Sequence, residues 1–261
     1  MTTIERIDGN KFGRAYMVTI DEQTFFCPSV TTILSKMPNP KLDKMREEMG
    51  AERMEKARDQ AAQRGTVMHK WLEIFLEHIG SGCSPEYALE LTQDEAPKEF
   101  EGWPARALNI GRNLFYNFYY SEEWKRVNKI VFSESFMHTV FRGGWAGTAD
   151  FAFIDHEGKC IVWDFKSASD MRTEEEVKSY MLQVSAYLFM YIENYKDKPG
   201  FIYPTGGEIL MANEKDSKLQ KFYLPIEDMK GYLREFIALR QEFELDEHWQ
   251  EFVSQTLQPP F

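Results

Sequence analysis

The stretch from Asp150 to Lys166, DFAFIDHEGKCIVWDFK, constrains this chain more than any other segment. Phe151 to Ile154 and Cys160 to Trp163 are rich in aromatic and β-branched residues, and they flank Asp155-His156-Glu157-Gly158-Lys159, a polar segment with a glycine. That pattern predicts two antiparallel strands joined by a turn. Pairing then sets Asp150, just before the first strand, near Asp164 and Lys166 at the end of the second. The two-residue period of a strand sends Asp164 and Lys166 to one face and Phe165 to the other. Ile161-Val162-Trp163 reads as buried, so the charged tripeptide after it lies where an α/β sheet opens its ligand crevice.

Two carboxylates and an ammonium at one sheet edge make poor structural design unless a divalent cation neutralises the acids. Mg²⁺ or Mn²⁺ does so with oxygen ligands, usually one or two carboxylates completed by water and phosphate oxygens. Such a shell suits phosphodiester hydrolysis, because the ion acidifies a water and screens the phosphate, while a neighbouring lysine orients the nucleophile or binds the charge that grows. An acid two residues before a lysine is, by itself, more often a surface pair. Its place after a buried strand gives it weight.

With 261 residues, 43% hydrophobic and 15% aromatic, the chain has the composition of an ordinary globular enzyme, expected as a single domain. No apolar run approaches the ~20 residues that cross a bilayer, and Met1 to Asn10 lacks the features of a signal peptide, so a cytoplasmic location is expected. Cys27, Cys83 and Cys160 are scattered, which supports neither a disulfide framework nor a zinc or iron–sulfur site. A formal net charge of −11 argues against a protein that coats nucleic acid, but the charge is uneven. Cations crowd Lys36 to Lys70, including Lys41, Lys44, Arg46, Arg53, Lys56, Arg58 and Arg64, and acids load the tail from Glu242 to Glu251. A local basic funnel is compatible with that distribution.

Along the chain, Ala15 to Ile20 and Thr24 to Cys27 read as a hairpin, and Pro28-Ser29 opens a helix. Ser29, Thr31 and Thr32 put hydroxyls near its N-terminus, where they either cap it or hold a phosphate. Lys41 to Gln63 reads as one charged helix, either a solvated face or a basic arm over a site. Arg64-Gly65-Thr66 ends it and starts another, Val67 to Ile79, on which His69 and Glu73 share a face. Gly80 to Pro97 reads as turn-rich, and a helix runs from about Pro104 to Trp124, most of whose Leu114 to Tyr120 rings belong to the core. Lys129 to Phe136 is a strand and Thr139 to Phe141 starts another. Trp145 follows two glycines and could stack on a base, while Glu134 either faces the site or faces solvent. A helix from about Thr173 to Tyr195 carries Gln183 and Tyr187 at i and i+4. Phe201 to Tyr203, Glu208 to Met211 and Lys221 to Leu224 read as strands around the turn Pro204-Thr205-Gly206-Gly207, and Ile226 to Gln250 as a closing helix.

Taken in order, Gly65-Thr66-Val67-Met68-His69, Gly147-Thr148-Ala149-Asp150, Asp164-Phe165-Lys166, Gln183 and Tyr187 resemble the PD-(D/E)XK nuclease superfamily in its RecB-like branch. With Pro28-Ser29-Val30-Thr31-Thr32-Ile33-Leu34 and the basic helix, the pattern is most similar to mitochondrial genome maintenance exonucleases and their bacteriophage relatives. The four cysteines by which some of that branch hold an iron–sulfur cluster are missing. The resemblance implies an α/β restriction-endonuclease-like core, a mixed and largely antiparallel sheet flanked by helices, with residues 1–64 as an N-terminal cover and 65–261 as the core. It implies Mg²⁺ or Mn²⁺ held by Asp150, Asp164, the Phe165 carbonyl and His69, water positioned by Lys166, and lysine and phosphate held by Gln183 and Tyr187. Ser29, Thr31, Arg64 and Trp145 join Gln183 and Tyr187 as substrate-binding candidates. The implied activity is a metal-dependent exonuclease on single-stranded DNA in replication, recombination or repair, in the bacteriophage relatives within a bacterial host. The rival readings are an endonuclease of the same superfamily and a DNA-end-binding protein without turnover.

Overall fold

The chain builds two sheets, and the second carries the site. The computed structural model describes residues 2–9 and 11–256, with residues 40–43 by backbone alone. Met1, Asn10 and residues 257–261 of the expected domain, and the Lys41 side chain of the basic stretch, lie outside the described residues. The first sheet is an antiparallel meander of β1 (Thr2–Gly9), β2 (Gly13–Ile20) and β3 (Gln23–Pro28). The expected hairpin is β2 and β3. β1 is unannounced in the sequence because it buries neither of its faces.

Ser29 caps α1 (Val30–Leu34) by accepting from the Thr32 N–H. Next come α2 (Pro40–Met49) and α3 (Ala51–Gly80), separated by Gly50 at φ +82°. The single charged helix expected over Lys41 to Gln63 is therefore broken at Gly50, and the break expected at Arg64-Gly65-Thr66 does not occur. Val67, Met68, Trp71 and Phe75 are buried on one face of α3. Their packing outweighs the ~1 kcal/mol that a glycine costs inside a helix. Gly65 also lies close to the second sheet, where a Cβ would come 3.3 Å from the Ser167 hydroxyl. A boundary at residue 64 thus falls inside one continuous helix.

The connection expected to be turn-rich contains α4 (Pro85–Glu95), signalled by Ser84 as N-cap and Pro85 in the first turn. A 3₁₀ turn over Ala96–Phe100 leads to α5 (Ala105–Tyr119), which stops short of Trp124. Phe115 and Phe118 on α5 are buried and Tyr120 beyond it is exposed.

The second sheet has the order β4 (Val127–Thr139), β5 (Trp145–Asp155), β6 (Cys160–Ala168), β7 (Pro204–Asn213) and β8 (Leu219–Pro225). Thr139 ends β4 and does not start a strand. β6 and β7 are parallel, joined by the crossover helix α6 (Lys178–Tyr195), and the other neighbours are antiparallel. The sheet is mixed and flanked by helices, as expected. β7 runs through Pro204-Thr205-Gly206-Gly207, the segment that reads as a turn, and Phe201 to Tyr203 is irregular. Those glycines serve packing, since a Cβ on Gly207 would sit 2.2 Å from Val184 Cγ1 of α6. The closing helix is two helices, α7 (Ile226–Phe243) and α8 (Glu247–Thr256).

Alternation along the strands feeds two cores. Phe151, Phe153, Ile161, Trp163 and Phe165 meet Phe75, Phe115 and Phe118 from α3 and α5. Ala152, Cys160, Val162 and Ile209 meet Val184, Leu188 and Tyr191 of α6 and Phe236 of α7. Among the described residues no helix is long and apolar enough to cross a membrane. Gly207→Ala should destabilise the protein by about 2 kcal/mol through overpacking under α6, read as a lower midpoint in urea.

Candidate active site

The sheet opens between β5 and β6. The two strands pair from Ile154↔Cys160 to Phe151↔Trp163, after which β6 continues along β7 alone. In the gap the Phe165 N–H donates to Asp150 Oδ2 at 2.7 Å, so a side chain takes the place of a ladder acceptor. Asp164 and Lys166 share the face covered by α6 and form an ion pair. Gln183 donates through Nε2 to Asp164 Oδ1 at 3.1 Å and to the Tyr187 hydroxyl at 3.2 Å. The Lys166 ammonium lies 5.2 Å from the centre of the Tyr180 ring. From the other side of the sheet, α3 brings His69 Nδ1 to 3.9 Å from Asp150 Oδ1.

Glu134 completes this group. The pairs Ser133↔Phe151 and Ser135↔Ala149 set Glu134 opposite Asp150 across the β4–β5 ladder. Two like charges facing each other in this way destabilise a sheet. Glu134 also has φ +48°, a left-handed conformation that non-glycine residues seldom adopt in a strand. The ligand atoms of His69, Glu134 and Asp150 all lie within 4.8 Å of one another. Asp164 Oδ2 is fully buried and faces the Lys166 ammonium. Oxygen donors with one imidazole suit a hard divalent cation. The residues therefore fit the ion that the sequence implies. The sequence left Glu134 open because nothing in an apolar-polar alternation signals a left-handed turn inside a strand.

The other candidates part company with this group. Trp145 is wholly buried between Phe189 and Phe236, so it belongs to the core and offers no face to a base. The Ser29 hydroxyl is buried and committed to the Thr32 N–H at 3.0 Å, which makes it a cap and no phosphate ligand. Thr31 is exposed and its hydroxyl is 3.0 Å from that of Ser29. Arg64 pairs with Glu214 at 2.5 Å beyond the end of β7. Phe165 sends its ring into the α3–α5 core, 5.1 Å from Phe118, and its backbone to the site. The basic stretch is partly neutralised within the molecule, Lys36 by Asp246 at 2.6 Å and Lys70 by Glu73 at 2.9 Å.

Burial pushes the Asp164 carboxyl up to about 7 against the pull of Lys166, with Asp150 adding to the rise. Loss of solvent, then the charges of Asp150 and Glu73, push Glu134 up to about 8. Burial opposes the charge on Lys166, but Asp164 and Asp150 outweigh it and hold the ammonium above its ordinary value. Burial keeps the Tyr187 phenol protonated. A carboxyl raised in the folded state stabilises the fold fully below its unfolded value, near 4, and loses that contribution as pH rises through the folded value. The melting temperature of metal-free protein should therefore fall between about pH 5 and pH 8 and then level off. Mn²⁺ should offset most of the fall, and Glu134→Gln should flatten it; a metal-free melting temperature that rises over this range would contradict the assignment of the two acids.

A sequence profile of the PD-(D/E)XK nuclease superfamily matches residues 43–259. No protein of curated function matches the sequence significantly. Among solved structures, a protein of Eubacterium rectale to which exonuclease activity has been provisionally assigned is similar at 12% identity and a TM-score of 0.43, over 72% of this chain and 75% of that one. The protein SSO0001 is similar at 11% identity and a TM-score of 0.32, over 67% and 73% of the two chains. The profile spans the opened sheet edge, the helices on both its faces and every residue of the carboxylate–lysine group, and the chain belongs to the PD-(D/E)XK nuclease superfamily.

Proposed function

We propose that this protein is a divalent-metal-dependent deoxyribonuclease that hydrolyses single-stranded DNA from an end. The observation that carries the reading is the meeting of His69, Glu134 and Asp150 at the edge where Asp164 and Lys166 emerge. Mg²⁺ or Mn²⁺ on His69, Asp150 and Glu134, with Asp164 and the Phe165 carbonyl within the same group, would supply Lewis acidity, lowering the pKa of a water and screening the phosphate.

The chain's own groups then have distinct tasks. Lys166, kept charged by two acids, is no general base; it donates to the attacking water and to a non-bridging phosphoryl oxygen, and so orders both. Gln183 fixes the Asp164 carboxylate from behind and passes its second contact to Tyr187, so α6 sets the direction in which Lys166 points. Tyr187, neutral and buried, donates without adding negative charge beside a polyanion. Arg64 would exchange Glu214 for a phosphate, and the exposed Arg53, Lys56 and Arg58 on the first turns of α3 provide a basic approach.

Residues 1–64 serve as the cover and 65–261 as the nuclease core of one domain, with α3 common to both. The resemblance to mitochondrial and bacteriophage exonucleases supports the preference for single strands and ends, and a role in replication, recombination or repair.

Labelled linear single strand, linear duplex and circular single strand, each in Mg²⁺ and in EDTA, test this reading. Linear single strand should be lost in Mg²⁺ alone, and Lys166→Ala should slow its loss by about 10²–10³-fold. Cutting of the circle would make the enzyme an endonuclease. Survival of every strand while a gel shift shows binding would make it an end-binding protein.

A further inference from the structure

β6 and β7 run parallel and end side by side at Ala168↔Asn213, and the crevice outside the carboxyl ends of such strands is where open α/β sheets bind ligands. Arg64 and Glu214 stand there. The Glu214 N–H donates to the Ala168 carbonyl at 3.0 Å, which seats Glu214 at the end of β7, and Arg64 Nη1 meets its Oε1 at 2.5 Å. Lys166 is two residues back along β6, a distance of about 7 Å. We infer that Glu214 is a built-in competitor for DNA: a backbone phosphate takes its place on Arg64 when the strand binds, and Glu214 returns to release the strand between cleavages. The inference rests on the nuclease reading and adds to it the way the strand is let go.

The state of the guanidinium separates this pair from the arginines that brace the fold. Arg240 uses all three of its nitrogens, Nε on the Gly144 carbonyl at 2.7 Å, Nη2 on the Gly143 carbonyl at 2.6 Å and Nη1 on Glu244 at 2.5 Å. Arg126 forks onto Glu208 at 2.7 and 3.0 Å and also reaches Glu123. Arg64 differs. Its Nε is buried and has no hydrogen-bond partner among the described residues, so Glu214 satisfies one edge of the planar fork and leaves the other open. An orphaned buried donor is costly in a pair that serves stability alone. A phosphate, with more acceptor oxygens than a carboxylate, matches the fork bidentately.

Competition requires that both occupants reach the same place. The Arg64 and Glu214 side chains are 15% and 22% exposed, so the pair opens to solvent and a strand passing the end of β6 meets it. Gly65 brings α3 against Ser167, which holds Arg64 beside the residue that follows Lys166. Asn117 fixes the turn after β7, donating through Nδ2 to the carbonyls of Asn213 and Asp216 at 3.2 and 3.1 Å. With that backbone tied, only the Glu214 side chain has to swing for a phosphate to enter. The displaced carboxylate stays close and repels the phosphate that replaced it, which weakens binding and speeds release. An enzyme that works from an end must move its strand after every cleavage, and a seat that empties easily serves that need.

The test measures KM for a labelled linear single strand in Mn²⁺, and the dissociation rate of the same strand in Ca²⁺ after a chase with unlabelled strand. The proteins are wild type, Glu214→Gln, Arg64→Gln, the double variant, and Asp170→Asn, which removes an equal charge at an exposed residue paired with the adjoining Lys215 at 2.6 Å. Glu214→Gln keeps the shape of the side chain and the backbone bond to Ala168. It should lower KM by about tenfold and slow dissociation by a similar factor. Asp170→Asn should stay within about twofold of wild type. In the Arg64→Gln background the substitution at Glu214 should bring no gain. Unchanged or weaker binding by Glu214→Gln makes Glu214 a structural partner only and overturns the inference, as does a gain that persists without Arg64; either result leaves the nuclease reading standing. No hydrolysis by wild type overturns both.

Discussion

Glu134 and Asp150 face each other across a β-ladder, and the rest of the site is arranged around that repulsion. A sheet that only had to be stable would put an opposite charge or an apolar pair at those positions. Here the backbone of Glu134 is turned into a left-handed conformation, β5 and β6 separate after Phe151↔Trp163, and Asp150 binds the Phe165 N–H in the gap. The left-handed turn and the lost ladder pairing cost stability, the Asp150 bond recovers part of it, and the arrangement leaves oxygens of Glu134 and Asp150 beside His69. The account that joins them is a divalent cation, which turns mutual repulsion of the acids into shared attraction.

The flanking helices divide the work between the two faces. α6 covers the face of Asp164 and Lys166 and supplies Gln183, which donates to Asp164 and to the Tyr187 hydroxyl. α3 reaches the edge from the other face with His69, and its burial through Val67, Met68, Trp71 and Phe75 explains why it continues straight through Gly65. Asp164 and Lys166 stand together on the α6 face, and Glu73, Glu134 and Lys70 gather on the α3 side.

The hairpin that carries Asp150, Asp164 and Lys166 was legible because its signals are local. Strand alternation fixed the faces of Asp164, Phe165 and Lys166, and helical period put Gln183 and Tyr187 on one stripe. What was not legible depends on the neighbours of a residue and not on its sequence context. Trp145 follows two glycines and looks available, yet Phe189 and Phe236 close around it. Gly206-Gly207 looks like a turn, yet it is a strand thinned to admit Val184. Glu134 reads from the sequence as facing either the site or solvent, and its place opposite Asp150 follows only from the β4–β5 register. Ser84-Pro85 did carry a local helix-start signal, and α4 could have been found from it.

The most direct test is a titration of metal-free protein with Mn²⁺, followed by electron paramagnetic resonance of the free ion, for wild type, Asp150→Asn and Glu134→Gln. The account predicts saturable binding by wild type, weakened in each variant by at least about tenfold. Equal affinity in all three proteins would show that the facing carboxylates do not hold the ion and would remove the physical basis for the site.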